Sequence, residues 1–160
     1  MISLIIIFLI TGVISGFMAG LLGVGGGIII VPISYFVLLY LGYSLDYVMH
    51  IAIASSLGVI CFTSISSIRS HIKLKNVNFI ILRTWVPGIC LGSILGSYCA
   101  SIISGDVLVN IFICLAFLIS LNMAFQRDPI VIAKDIPSSK FINIILSSLI
   151  GFLSVLMGIG

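Results

Sequence analysis

Three consecutive glycines, Gly25, Gly26 and Gly27, are the residues of this sequence whose type and spacing point most directly to chemistry. A run of glycines interrupts a helix, and the helix that follows begins with backbone N–H groups that have no partner inside it. Such a helix start attracts anions through these donors and through the helix dipole. Pro32 favours the first turn of a helix that begins late. A tight turn between two packed helices explains the same glycines, so both interpretations stay open at this point.

Hydroxyl groups and one arginine add to this candidate anion site. Ser55 and Ser56 can donate hydrogen bonds to an oxyanion without carrying a charge, although a serine in a helix also bonds to carbonyls of its own helix. Arg83 lies a few residues inside an apolar segment, where it either extends to the membrane surface or faces an anion path. The candidate substrate-binding residues are Gly25, Gly26, Gly27, Ser55, Ser56 and Arg83.

One further polar pair is placed to interact. Asp46 and His50 are four residues apart and share a helix face, which suits either a proton-coupling pair or an exposed pair at the membrane surface. The sequence carries no His/Glu metal cluster and no Gly-x-Ser-x-Gly, and its glycine run lacks the Lys and Ser/Thr of a phosphate-binding loop. We therefore expect no catalytic residues, no enzymatic activity, no cofactor and no metal.

The composition identifies the solvent in which these residues must be positioned. Of 160 residues, 61% are hydrophobic and 7% are charged, whereas a soluble domain has about 25% charged residues. These values exclude a soluble enzyme, a nucleic-acid-binding module, a secreted disulfide-rich domain and a disordered tail. They predict an all-α integral membrane protein, whose partner is the lipid bilayer and not a nucleic acid.

Apolar segments divide the chain into about six transmembrane helices. The second segment is short and contains Pro32, and the segment 126–140 is polar. We predict a first transmembrane repeat of five spans over 1–125, a cytoplasmic linker over 126–140 and the first helix of a truncated second repeat over 141–160. The predicted segments are Ile2–Leu22, Ile28–Leu41, Val48–Ile68, Phe79–Ile103, Val107–Phe125 and a last one from Phe141.

Basic residues predict the orientation in the membrane. All seven Lys and Arg lie around the connection between segments three and four or in the polar linker. The connections on the opposite side contain Asp46 and Asp106 and no Lys or Arg. Because basic loops stay in the cytoplasm, we expect both basic connections inside and the N-terminus outside. The first two segments then form a hairpin whose tip points inward, and the membrane is the cell (inner) membrane.

Two ends of the chain resemble each other. The stretch Gly16–Gly25, GFMAGLLGVG, matches Gly151–Gly160, GFLSVLMGIG, at five of ten positions. The two copies lie in helices one and six, which cross in opposite directions. Inverted repeats of this kind are typical of secondary transporters, whose substrate sites lie where the repeats meet. The offset of 135 residues predicts a complete protein of about twice that length, so this chain would be the first half plus one helix.

The sequence resembles the sulfite exporter TauE/SafE family of membrane proteins. The resemblance rests on GLLGVGGGIIIVP at Gly20–Pro32, on IAIASSLGV at Ile51–Val59 and on the stretch from Pro87 to Gly96. A weaker likeness follows His71, where Lys75 and Asn78 replace the Gly and Asp that are usual in the family. The resemblance implies two inverted halves and transport of sulfite, sulfonates or other small sulfur-containing or organic anions. The alternatives are a non-transport accessory or assembly subunit and an inactive fragment of a degraded transporter.

Small residues recur every four positions in two of the predicted helices. We expect Gly12, Gly16 and Gly20 in the first helix, and Gly88, Gly92 and Gly96 in the fourth, to let other helices pack closely. The alternative to a packing role is that a substrate path follows the small side chains of these helices. The partner that completes the protein is either the missing second half or a further copy in a homo-oligomer.

Overall fold

The part of the chain that the structure describes forms a bundle of six α-helices. The structure is a computed structural model that describes residues 2–22, 26–75, 77–125 and 140–159. Within these ranges there is no β-strand. The helices are α1 (Ile2–Leu22), α2 (Gly27–Tyr40), α3 (Leu45–Lys73), α4 (Phe79–Ile102), α5 (Gly105–Phe125) and α6 (Lys140–Met157). The predicted all-α membrane fold is confirmed, whereas the predicted linker lies outside the described residues apart from Lys140.

The helix α2 is too short to cross a bilayer. Its 14 residues rise about 21 Å, against a hydrocarbon core of about 30 Å. Pro32 lies inside α2 and not in its first turn, so the prediction that Pro32 marks the helix start was wrong. The helix instead begins at Gly27, directly after the half-buried Gly26.

Among the described residues, three helices are long and apolar enough to cross a membrane on their own. These spans are Leu45–Lys73, Ile81–Ile102 and Gly105–Phe125, and shorter apolar stretches occur at Ile5–Leu21, Gly27–Tyr40 and Phe141–Met157. Large apolar side chains such as Phe62 and Phe117 are exposed on the outer surface of the bundle. Such a surface suits contact with lipid and not with water.

The core lies where α2, α3, α5 and α6 meet. Val31 of α2, Ala52 and Ile53 of α3, Leu108 of α5 and Leu156 of α6 are all buried there. The α6 helix therefore belongs to the same packed unit as the first five helices, although its sequence resembles α1.

The glycine stripe of α4 packs against α6 at backbone distance. A Cβ atom on Gly92 would overlap the carbonyl of Ser148, and one on Gly96 would lie 2.9 Å from the carbonyl oxygen of Phe152. A Cβ on Gly88 would likewise overlap the side chain of Ser147. The predicted packing role is confirmed for these three glycines. From Gly88 to Gly96 along α4, the contacted residues follow one another from Ser147 to Phe152 along α6. The two helices therefore run in the same direction.

The glycine stripe of α1 has a different environment. A Cβ on Gly12, Gly16 or Gly20 would meet no atom within 4 Å, so the packing predicted for α1 does not occur among the described residues. Residues 12–19 of α1 face residues 59–70 of α3 across an open groove. The predicted hairpin of α1 and α2 stays a prediction, because residues 23–25 between the two helices lie outside the described residues.

Candidate functional site

The start of α2 lies in a buried junction between α2, α3 and the end of α6. Gly27 is buried, and the carbonyl of Gly158 lies directly against it. A Cβ atom on Gly27 would overlap this carbonyl oxygen and would lie 2.8 Å from the Cα of Ile159. Only glycine permits this approach, so the start of α2 packs directly against the second copy of the repeated motif.

Ser56 of α3 completes the junction. Its side chain is fully buried, and its hydroxyl donates a hydrogen bond of 2.7 Å to the carbonyl oxygen of Gly158. Ser56 is the twelfth residue of α3, which places the junction about 17 Å from the start of that helix. The junction therefore lies near the middle of this 29-residue helix.

The start of α2 favours a group that accepts hydrogen bonds, and on the α6 side the carbonyl of Gly158 is such a group. Within the first turn of α2, the N–H groups of Ile29 and Ile30 donate to the carbonyl of Gly26, at 3.1 and 2.9 Å. The N–H groups of Gly27 and Ile28 have no acceptor inside the helix, because they precede its first complete turn. The end of α6 presents the negative end of its dipole to this positive helix start.

Gly158 turns the chain at the end of α6. Its φ angle of +63° lies in the left-handed region, which glycine adopts without strain. A Cβ on Gly158 would lie 3.0 Å from Cγ2 of Val31 and 3.3 Å from the Cα of Ile53. The residue therefore needs to be glycine both for its backbone conformation and for its contacts with α2 and α3.

A groove of about 440 Å³ lies beside the junction, between α1 and the C-terminal half of α3. Hydroxyl groups line much of its α3 wall, and Gly26 and Ile30 close the end nearest to α2. The hydroxyl of Ser15, in the α1 wall, donates to the carbonyl of Gly12 at 3.2 Å. The lining residues are Gly12, Ser15, Gly16, Ala19, Gly26, Ile30, Val59, Ile60, Thr63, Ser66, Ser67 and Ser70.

The six predicted site residues lie in different environments. Gly26 lines the groove and Gly27 lies in the junction with Ser56, whereas Gly25 lies outside the described residues. Ser55 is exposed, and its hydroxyl donates to the carbonyl of Ala52 in its own helix at 2.8 Å. The neighbouring serines therefore do not act as a pair.

Arg83 lies apart from the glycine break. It is exposed and lines a separate cavity with Thr84 and Pro87 of α4 and Ile144 of α6. The groove at Gly26 is formed by α1, α2 and α3. The structure therefore does not bring Arg83 into one cavity with the other candidate residues.

Asp46 and His50 do not pair, although they occupy successive turns. The ring Nε2 of His50 lies 3.0 Å from the carbonyl oxygen of Ala100 and 3.1 Å from that of Ile103. Asp46 instead lies near the hydroxyl of Ser44, at 3.5 Å. Because Nε2 faces carbonyl acceptors at the end of α4, His50 joins α3 to that end and does not form the proton-coupling pair considered above.

The sequence prediction missed the most central residue of the junction. Gly158 belongs to the second copy of the repeated motif, but the spacing of residues in that motif did not show that it meets Ser56. Ser15 and Ser70 of the groove were also missed. Their signal was present in the sequence, since Ser15 precedes Gly16 of the small-residue stripe and Ser70 lies four residues after Ser66.

Known proteins resemble this chain over most of its length. It is 30% identical over 162 residues to a protein of Haemophilus influenzae named "Probable membrane transporter protein", and this match covers 100% of the chain and 60% of the relative. A protein of Methanocaldococcus jannaschii with a similar name is 34% identical over 163 residues, covering 96% of the chain and 57% of the relative. The Bacillus subtilis protein YunE, also named as a probable membrane transporter, is 29% identical, with 97% and 63% coverage.

The chain spans about three fifths of the length of these relatives. No solved structure gives a significant match to it. Residues 8–160 match the sulfite exporter TauE/SafE family, a match that includes the glycine break, the serines of α3, the glycine stripe of α4 and the second motif in α6. The chain belongs to the sulfite exporter TauE/SafE family.

Proposed function

We propose that this chain is the N-terminal part of a transporter that moves small anions, such as sulfite, sulfonates or other sulfur-containing or organic anions, across the cell (inner) membrane. The observation that carries the proposal is the start of α2 in a buried junction midway along α3. Backbone donors of a helix start, at that depth, suit a ligand that accepts hydrogen bonds and carries negative charge. The names of the relatives support transport, and the family name supports sulfite as a substrate.

We place the anion on the groove side of this helix start, next to Gly26. The N–H groups of Gly27 and Ile28 supply donors there, and a glycine lets the ligand approach the main chain closely. Ser56 has a different role from the one expected, because its hydroxyl already donates to Gly158. In the proposed site Ser56 fixes the position of the helix start, and backbone N–H groups bind the oxyanion.

Substitution of Gly26 by leucine tests the proposal. A Cβ on Gly26 would lie 3.4 Å from Cδ1 of Ile30 and 4.0 Å from the Cβ of Ala19, which are ordinary contacts, so the variant is expected to fold. The leucine side chain would fill the groove at the helix start. In a transporter assembled from this chain and its completing half, we expect Gly26→Leu to reduce flux of radiolabelled sulfite per folded molecule to background.

Gly92→Leu is the matched control, because Gly92 contacts α6 and not the groove. A Cβ there would overlap the carbonyl of Ser148, so this variant should lower the yield of folded protein without a selective effect on flux per folded molecule. Normal flux per folded molecule in Gly26→Leu would mean that the glycines form only a turn and that the anion binds elsewhere.

A further inference from the structure

One face of α1 has no partner in the described chain, and the internal repeat indicates what covers it. On α6, Ser147, Ser148 and Phe152 contact the glycine stripe of α4, and Gly151 contacts Ile89 of the same helix. The offset of 135 residues places Gly12, Val13, Gly16 and Phe17 at the equivalent positions of α1. Gly16 and Phe17 are identical to their counterparts in α6.

The two equivalent faces differ in what they contact. On α6, Ser147 is fully buried and Gly151 is buried against the carbonyl of Ile89 of α4. On α1, Val13 is 72% exposed and Phe17 is 67% exposed. Gly12 and Gly16, which also line the groove toward α3, have no atom within 4 Å of their Cβ positions. The same pattern of residues is therefore packed in one copy and bare in the other.

We propose that the face of α1 formed by Gly12, Val13, Gly16 and Phe17 binds the second-half counterpart of α4, a transmembrane helix with small residues at three positions four apart. Small residues on both helices let their backbones approach, as Gly92 and Gly151 do at the contact of α4 with α6. The proposal rests on the proposed function in one respect, namely that a second half completes the protein.

The length of the relatives supports this occupant over a lipid or an unrelated protein. The 162 aligned residues make up 60% of the Haemophilus influenzae relative, whose length is therefore about 270 residues, or twice the repeat offset. A protein of that length has room for one second copy of the five-helix repeat. The second copy would supply one counterpart of α4. Of the two described helices that the repeat relates, α6 already packs against α4, whereas the equivalent face of α1 is bare.

The peptide Phe79–Ile102, which carries the sequence of α4, is a suitable probe for this face. The 160-residue chain is labelled at its N-terminus with an acceptor fluorophore, reconstituted in lipid vesicles and titrated with donor-labelled peptide. We expect saturable energy transfer, and we expect a control peptide with Gly88, Gly92 and Gly96 changed to leucine to bind at least about tenfold more weakly.

Variants of the chain assign the binding to α1. The double substitution Gly12→Leu with Gly16→Leu should also weaken binding of the α4 peptide by about tenfold or more, since both glycines lie on the proposed face. Gly58→Leu is the matched control, because Gly58 of α3 also has no atom within 4 Å of its Cβ position and lies outside that face. This control should bind the peptide as the unsubstituted chain does.

Three outcomes would overturn the assignment. They are no saturable binding, equal binding by the double variant and the unsubstituted chain, and energy transfer between two copies of the chain that the double variant abolishes without any peptide. The last would assign the face to a homo-oligomer. None of these measurements involves flux, so the proposed transport activity and this docking face can fail independently.

Discussion

At the scale of single residues, Ser56 shows how little of a role can be inferred from residue type. The sequence predicted a hydroxyl donor in α3, and the structure gives that donor a backbone carbonyl as its partner. Ser55 was predicted on the same grounds and is exposed. Residue type and family motif identified the segment, but the partner of each hydroxyl depends on which face of α3 meets α6, and a single sequence does not contain that information.

The hydrogen bond of Ser56 leads to a stability prediction. Ser56→Ala leaves the carbonyl of Gly158 buried without this donor, which should cost about 1–3 kcal/mol of unfolding free energy. Ser55→Ala is the matched control, since its hydroxyl bonds locally at an exposed position, and it should change stability by less than about 0.5 kcal/mol. Reversible unfolding of each variant in mixed detergent micelles measures the difference. Equal stabilities of the two variants would show that the bond to Gly158 contributes nothing.

At the scale of helices, hydropathy predicted most of the fold. The limits of α1 agree with the predicted segment, and those of α2, α4 and α5 agree within two residues at each end. The helix α3 is longer than predicted, because its ends carry Asp46, Arg69, His71 and Lys73, which an apolar window excludes although they continue the helix. Which helices pack together was not predicted, since contacts such as that of α4 with α6 depend on three-dimensional geometry.

The connections between helices carry the prediction of orientation. Because the basic residues lie around the α3–α4 connection and in the segment 126–140, single cysteines at positions 75 and 134 in a cysteine-free background should react with an impermeant reagent only after the membrane is permeabilised. A cysteine at position 5 should react from the outside, as the N-terminus is expected there.

Two results would contradict this orientation in different ways. Labelling of position 75 or 134 from the outside would show that the basic connections lie outside the cell and that the predicted orientation is wrong. Labelling of position 5 only after permeabilisation would instead mean that α1 and α2 form a single interrupted crossing. That arrangement agrees with the position of residues 12–19, which face the C-terminal half of α3 across the groove.

At the scale of the whole molecule, the junction explains why α6 is part of the packed unit. The end of α6 supplies the carbonyl that Ser56 and the start of α2 surround, so the packing of α2 on α3 depends on the second copy of the repeated motif. By the same repeat, the second half would contain a helix start equivalent to that of α2. A substrate between the two helix starts would be surrounded by both halves, whereas in this chain one side of the groove at Gly26 is open.

The 160-residue chain alone is therefore expected not to transport anions. Without a second half, the groove beside Gly26 opens to lipid or to a second copy. The face of α1 formed by Gly12, Val13, Gly16 and Phe17 then remains bare. Two copies related by inversion could in principle close it, but the strong bias of basic residues to one side opposes insertion in both orientations. Uptake of radiolabelled sulfite into proteoliposomes that contain the purified chain should equal that of empty liposomes. Flux above this control would show that one half is sufficient, and the Gly26→Leu variant would then establish whether that flux uses the start of α2.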